Sequence, residues 1–380
     1  MPFSLEPQYV EIQREAGALA ASVEPCAAEA DAMSTIHPEV RELLAASGLW
    51  ELTVPAAYGG RFEGVDPLAV CVAREALMAT SSHLDSLFAL QGIGSYGISV
   101  AGSEEQRSHW LPKVVAGEAL AGLALTEPDA GSDLRSVSTE LSGSGEDLWL
   151  NGEKAFISNG GVAAFYTVFV REGEGHSVFL VPADRPGMRI VEAPELIAPH
   201  VLSDLTLDEV PVTPADRLGE PGKGFDVLLA TLSVFRVSVA GASLGLAQAA
   251  LEEATVHTAK REQFGRPLAR LGAVAERLAD SWTELEAARL LTYRAAELAR
   301  TDPAGSLPQS SMAKLFASET AGRVVDRAVQ VMGRFGLIAD AKIERLYRQA
   351  RPMRIYEGAS EVLRLGISRA LVEQVLGGTD

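Results

Sequence analysis

Cysteine is scarce. Cys26 and Cys71 are the only two in 380 residues, far apart and without the spacing of metal ligands, which argues against a disulfide framework and leaves no cysteine-based metal site to expect. Positive charge is also in short supply. The chain has 33 Lys and Arg against 51 Asp and Glu, a formal net charge of -18. The summed field repels phosphate backbones and acidic membranes, so nucleic acid is not expected as a partner and an anionic substrate would need local cations. The most apolar long stretch, Val237 to Leu251, is fifteen residues rich in Ala, Gly and Ser. It is too short to span a bilayer and reads as closely packed helix. The opening MPFSLEPQYVEIQREAG has no basic region followed by an apolar run, the pattern of a secretory signal. A cytoplasmic protein with no membrane and no metal is the expectation.

Apolar residues are plentiful at 47%, enough for a sizeable core divided over two or three domains. From about residue 5 to 118 the apolar residues fall three and four apart, as in helices. Pro38 suits a first helical turn, Gly48 is placed to end that helix, and Ser103 with Gln106 reads as a capping box. Ser86 to Gly97 mixes small and apolar residues with Gln91, Gly92 and Gly94. It reads either as the lining of a ligand channel or as close packing of helices through glycine.

After Gly117 the periodicity changes. Asn151-Gly152 between extended segments predicts a hairpin turn. Phe165 to Val170, Val178 to Val181 and Leu205 to Val212 read as short strands. From Gly224 helical patterns return over about 225 to 260, 268 to 301, 309 to 335 and 360 to 376, with breaks at Phe264 to Pro267, Pro303 to Pro308 and Gly333 to Gly336. The order is α, β, α: a helical segment 1–118, a β segment 119–223 and a helical segment 224–380.

Three stretches carry candidate chemistry. Leu123 to Asp133, LALTEPDAGSD, combines small residues at Ala130, Gly131 and Ser132 with hydroxyls at Thr126 and Ser132. It reads as a ligand-gripping loop, or as a turn whose Asp and Ser satisfy their own backbone. Phe156 to Gly161, FISNGG, offers a ring that could cover a planar ligand and a hydroxyl two residues on. Ile355 to Glu361, IYEGASE, sets Glu357 between Tyr356 and Gly358, after a basic helix and before an apolar one. Glu357 is either a buried, reactive base or a solvated turn residue.

Together TEPDAGSD, NGEKAFISNGG, REQFGRPL and ERLYRQARPMRIYEGASE occur in the order and approximate spacing of the acyl-CoA dehydrogenase family, which the chain resembles over nearly its whole length. The resemblance implies a helical N-terminal domain, a middle β-barrel and a C-terminal four-helix bundle, an α+β multidomain architecture assembled as a homotetramer or dimer that binds FAD. It implies that Leu125, Thr126, Gly131 and Ser132 hold the isoalloxazine, that Phe156 packs on one ring face, and that Ser158 hydrogen-bonds flavin N5. Arg261, Gln263, Phe264, Gln330, Gly333 and Glu361 match positions that reach FAD, several of them that of a neighbouring subunit, with Arg261 as pyrophosphate cation. Ser132, Arg236, Tyr356 and Gly358 match positions beside the substrate, although Arg236 reads equally well as a buried structural cation. Glu357 matches the base that removes the proton next to the thioester carbonyl while hydride leaves the β-carbon. Some relatives carry the base on a helix of the bundle, at the position of Phe235, which cannot take a proton.

The implied activity is dehydrogenation of an acyl-CoA to the 2,3-enoyl thioester, within fatty acid metabolism, with an electron-transfer flavoprotein as acceptor. The sequence departs from the family at Gly333-Arg334, at Ala359, at Ser233 and over Leu196 to Leu202, LIAPHVL. The last two changes leave an acyl-carrier-protein thioester open as substrate. Rapid hydrogen peroxide release would mark instead a flavin oxidase or monooxygenase on the same fold, and a colourless protein that takes up no FAD would mark a non-catalytic scaffold.

Overall fold

The computed structural model describes residues 4–377. Helices α1 (Pro7–Val23), α2 (Ala27–Asp31), α3 (Pro38–Ser47), α4 (Pro67–Met78), α5 (Ser82–Ala101) and α6 (Glu104–Val115) come first. Strands β1 (Ala121–Ala124), β2 (Glu140–Ser144), β3 (Asp147–Ser158), β4 (Phe165–Glu172), β5 (Gly175–Pro182), β6 (Met188–Glu192), β7 (Leu202–Val212) and β8 (Arg217–Leu218) follow. The chain ends in α7 (Gly224–Lys260), α8 (Gly272–Thr301), α9 (Leu307–Met332), α10 (Lys342–Ala350) and α11 (Ser360–Leu376).

Local chemistry sets several of these boundaries. Pro38 opens α3, the His37 ring accepts the Val40 N–H at 3.4 Å, and Gly48 closes the helix at φ 72°. The capping box of α6 has both halves: Ser103 Oγ accepts from the Gln106 N–H at 3.2 Å, and Gln106 Oε1 accepts from the Ser103 N–H at 2.8 Å.

The chain forms two compact units. Among the described residues, one comprises 33–66 and 86–235, the other 4–32, 67–85 and 236–377. In the first, the strands make one sheet in the order β6-β7-β3-β2-β4-β5-β8, with β1 parallel to β4. Leu150, Ile157, Tyr166, Val168, Phe179, Val181, Leu205 and Val210 from its strands bury one common core, as a sheet wrapped around its own side chains must. Residues 86–101 of α5 pack tightly in the same unit. A Cβ on Gly94 would fall 2.7 Å from that of Ala121, and one on Gly92 would fall 2.4 Å from the Phe235 ring. Buried Gln91 donates to the Val114 and Ala119 carbonyls, each at 3.0 Å, and accepts the Ala121 N–H at 2.9 Å. The glycines of this stretch serve close packing of the helix.

Asn151-Gly152 does not turn the chain. The hairpin between β2 and β3 turns at residues 145 and 146, after the pair Ser144 and Asp147. Asn151-Gly152 lies inside β3, where its register against β7 shifts between Leu150 and Gly152. Gly152 has φ 145°, and a Cβ there would meet Thr139 Oγ1 at 2.6 Å. Asn151 is engaged on both sides, accepting the Glu209 N–H at 2.9 Å and donating to Ser142 Oγ at 3.1 Å. Close approach by Thr139, just before β2, rather than turn formation, requires the glycine.

In the second unit α1 packs on α4, α4 on α8, and α8, α10 and α11 on α9. The apolar stretch beginning at Val237 belongs to the 37-residue α7, longer than fifteen apolar residues suggest and apolar enough over 18 residues to cross a membrane, yet 83% of that window is buried within the fold. Close packing explains its composition: a Cβ on Gly241 would fall 2.5 Å from the Cys71 carbonyl oxygen, and one on Gly245 would fall 2.0 Å from that of Glu75.

Candidate active site

Glu357 lies on the turn between the 3-10 segment Pro352–Arg354 and α11. Its φ is 55° and that of Gly358 is 103°, two successive residues in backbone conformations that L side chains rarely adopt. Glycine is required second: a Cβ at position 358 would lie 2.8 Å from Leu363 Cδ2. A non-glycine residue in the first place costs on the order of 1 kcal/mol and needs outside support.

Two cations supply it. Arg236 of α7 donates from Nε to the Glu357 carbonyl at 2.9 Å and from Nη1 to Ser311 Oγ at 3.1 Å. Lys314 of α9, wholly buried, donates from Nζ to the Gly358 carbonyl at 2.7 Å. Glu319 anchors the flanks, accepting from Ser360 Oγ at 2.7 Å and from Arg354 at 3.2 Å.

The Glu357 carboxylate itself is left unused. Its Oε2 is buried without a hydrogen-bond partner, although an unpaired acceptor of this kind is costly. Burial pushes the Glu357 pKa up, against the opposing fields of Arg236, Lys314 and Arg74. Burial likewise pulls Lys314 down to about 8, while the Glu357 charge acts the other way. Arg236 is lowered by burial and raised by Glu357, the first being the larger.

In the same unit, Arg74 and Asp85 form a buried two-pronged pair at 2.9 and 2.6 Å, and Arg74 also donates to Ser238 Oγ at 2.8 Å. Burial raises the pKa of the neighbouring Tyr356, whose phenol feels Arg74 and Asp85 in opposite directions. Phe235, which the resemblance matches to a helix-borne base of some relatives, lies in the other unit, where it is wholly buried and meets Tyr96 edge-on at 5.7 Å between ring centroids.

In the other unit the glycine-containing loop is tied to the two residues just before the FISNGG stretch. Lys154 donates to the Leu125 carbonyl at 3.1 Å and the Ala155 N–H to the Thr126 carbonyl at 2.8 Å. Gly131 lies over Thr126, whose Cγ2 would be 3.9 Å from an added Cβ; Gly131 and Ser132 are exposed. A second register shift in β3, between Lys154 and Ile157, buries Ala155 and Ile157 and turns Phe156 outward at φ 56°. Its ring is 51% exposed. Asp204 holds the bend by accepting the Phe156 N–H at 2.7 Å. Ser158 Oγ lies 2.8 Å from His200 Nε2. An outward aromatic face, a hydroxyl two residues on and an open glycine loop fit a planar, hydrogen-bonding cofactor such as FAD.

The remaining predicted cofactor residues lie on the helical unit. Glu262–Gln263 pairs with Arg266–Pro267, and Phe264 at the tip has φ 54° and is 88% exposed. The Arg261 guanidinium stacks 5.8 Å from the Phe335 ring centroid. Gln330 is exposed near the end of α9, Gly333 follows it at φ 60°, and exposed Glu361 sits in the first turn of α11.

Four participants were given no role by sequence reasoning: Lys314, the Arg74–Asp85 pair, Lys154 with Glu127, and His200. Lys314 left a faint signal, since it falls in register with the buried stripe Ser310, Ala313, Ala317 and Ala321.

Residues 7–118, 122–210 and 222–372 match, in turn, the N-terminal, middle and C-terminal domains of acyl-CoA dehydrogenases. The chain is 34% identical over 358 residues to cyclohexane-1-carbonyl-CoA dehydrogenase of Geobacter metallireducens, covering 93% of this chain and 94% of the relative. Butyryl-CoA dehydrogenase of Megasphaera elsdenii superposes with a TM-score of 0.92 at 30% identity, over 98% of this chain and 100% of that one. An acyl-CoA dehydrogenase of Bacillus anthracis complexed with FAD superposes with a TM-score of 0.90 at 28% identity, over 100% of this chain and 69% of that one. Fold and matched segments define an oxidoreductase. The chain belongs to the acyl-CoA dehydrogenase family.

Proposed function

We propose that the protein is an FAD-dependent dehydrogenase that converts an acyl-CoA to its 2,3-enoyl thioester, with Glu357 as the base. The observation that carries this reading is the buried, unpartnered Oε2 of Glu357 beside two cations that each donate a hydrogen bond to the backbone of the turn. The proton next to a thioester carbonyl is only weakly acidic, so a carboxylate of ordinary pKa is a poor base for it. Burial raises that of Glu357 and narrows the gap. The α-proton goes to Oε2, and the β-carbon loses its hydrogen as hydride, leaving the 2,3 double bond. Bound FAD supplies the hydride acceptor.

Leu125, Thr126, Gly131 and Ser132 would form the cradle for the flavin, with Phe156 and Ser158 as the aromatic face and the hydroxyl that would hold its ring system. Arg261, Gln263, Phe264, Gln330, Gly333 and Glu361 serve FAD across a subunit boundary in a homotetramer or dimer. The exposure of the Phe264 ring supports this, since a large apolar side chain at a hairpin tip calls for cover. Ser132, Arg236, Tyr356 and Gly358 border the thioester. Segments 1–118, 119–223 and 224–380 are the three domains, in keeping with the matched family segments. An electron-transfer flavoprotein in the cytoplasm would serve as the electron acceptor.

Anaerobic mixing with acyl-CoA substrates tests the reading: flavin absorbance is bleached by the wild type, while Glu357→Gln retains FAD and is not bleached. Bleaching that persists in Glu357→Gln removes Glu357 from the mechanism.

A further inference from the structure

A cation placed beside a buried carboxylate ordinarily pairs with it, and the pair then occupies the oxygen that would accept a proton. Around Glu357 the cations do something else. Arg236 Nε ends on the Glu357 carbonyl, Lys314 Nζ ends on the Gly358 carbonyl, and Oε2 has no partner. Lys314 is the more telling of the two. A fully buried ammonium group on a helix face of Ser and Ala is expensive to desolvate, and an apolar side chain of the same length would fill the space without that penalty.

We propose that Lys314 is a positioning residue for proton removal: with Arg236 it fixes the left-handed Glu357–Gly358 turn through the backbone and favours the carboxylate by its field while leaving Oε2 open. The inference rests on Glu357 being the base. The other charged and titratable groups that act on this cluster are Arg74 of α4 with its partner Asp85 of α5, Arg236 of α7, Glu319 of α9, Tyr356 of the turn and Glu361 of α11. Among the cations Arg74 is held by Asp85 in a two-pronged pair and Arg236 is shared with Ser311. The Lys314 ammonium directs its hydrogen bond to the turn.

Two variants of the FAD-loaded enzyme separate the field from the hydrogen bond. Lys314→Gln retains an N–H donor and loses the charge; Lys314→Met loses both. The readout is exchange of the methyl protons of acetyl-CoA with D2O across pH, which reports α-proton removal without any hydride transfer, alongside single-turnover flavin reduction by a full substrate. With Lys314→Gln the acid limb of both profiles moves up by roughly one pH unit, because a favourable charge has been taken from beside the base, and the plateau stays within a few-fold of wild type. Lys314→Met moves the limb in the same direction and lowers the plateau on the order of 100-fold, the scale of a misplaced catalytic group. A wild-type limb in Lys314→Gln overturns the proposal, including when Lys314→Met fails to fold. A wild-type plateau in a folded Lys314→Met also overturns it. Both outcomes leave the base assignment intact if Glu357→Gln abolishes exchange; exchange that survives Glu357→Gln removes the assignment beneath the proposal.

Discussion

Lys154 Nζ lies 2.8 Å from Glu127 Oε1, and both side chains are almost wholly buried. The Ser138 N–H and Thr139 N–H also donate to this carboxylate, at 2.6 and 2.9 Å. Burial works against the charge on Glu127, but hydrogen bonds from Lys154, Thr139 and Ser138 outweigh it and hold the pKa at about 2. Burial lowers Lys154 to about 8, short of neutralising it at pH 7. The pair is ionic, and it ties the Leu125 to Glu127 loop to β3.

Lys154→Met leaves the Glu127 carboxylate buried without its cation. The expected cost is about 3–5 kcal/mol, with loss of FAD because the Leu125 carbonyl loses its anchor. Thermal denaturation and the flavin-to-protein absorbance ratio read the two effects; unchanged values for both would show that the pair does not hold the loop.

The depressed Glu127 pKa also sets a pH dependence. Because the folded value lies below the unfolded one, its stabilising contribution is fully present above the ordinary carboxylate range and is lost as pH falls from about 4.5 toward about 2. Glu127→Gln should therefore be less stable than wild type at pH 7, with the difference shrinking through this window. Chemical denaturation at a series of pH values measures it.

Gly358→Ala places a methyl group 2.8 Å from Leu363 Cδ2 on a residue at φ 103°. We expect a loss of roughly 1–3 kcal/mol and, with Glu357 as the proposed base, a fall in kcat larger than any change in KM. Steady-state kinetics that leave kcat intact would separate the turn geometry from catalysis.

Gly92→Ala would set a Cβ 2.4 Å from the Phe235 ring, an overpacking worth about 1–3 kcal/mol. Adding Phe235→Leu should restore part of that loss, giving a non-additive double-mutant cycle. Strict additivity would mean that the two residues do not touch.

Legibility in the sequence followed locality. The Ser103 and Gln106 capping box, Pro38 and Gly48 could be read directly because each acts within one helical turn. Asn151-Gly152 was misread because its glycine answers to Thr139 across the sheet, and no neighbour in sequence signals that approach. The Tyr356-Glu357-Gly358 turn was visible, but its support was not. Lys314 received no role because its place beneath the Gly358 carbonyl depends on how α9 packs on the turn. His200 lay in a stretch noted only as a departure from the family, and its contact with Ser158 depends on the pairing of β3 with β7.

Trp50 is buried, its indole N–H donating to the Leu87 carbonyl at 3.2 Å, and a Cβ on Gly117 would lie 2.3 Å from its ring. Trp149 and Trp282 are 38% and 65% exposed, and Trp110 is intermediate. The intrinsic fluorescence should therefore contain one blue-shifted, acrylamide-resistant component whose red shift on denaturation reports the opening of the unit around Trp50, while Trp282, in the other unit, is quenched from the start.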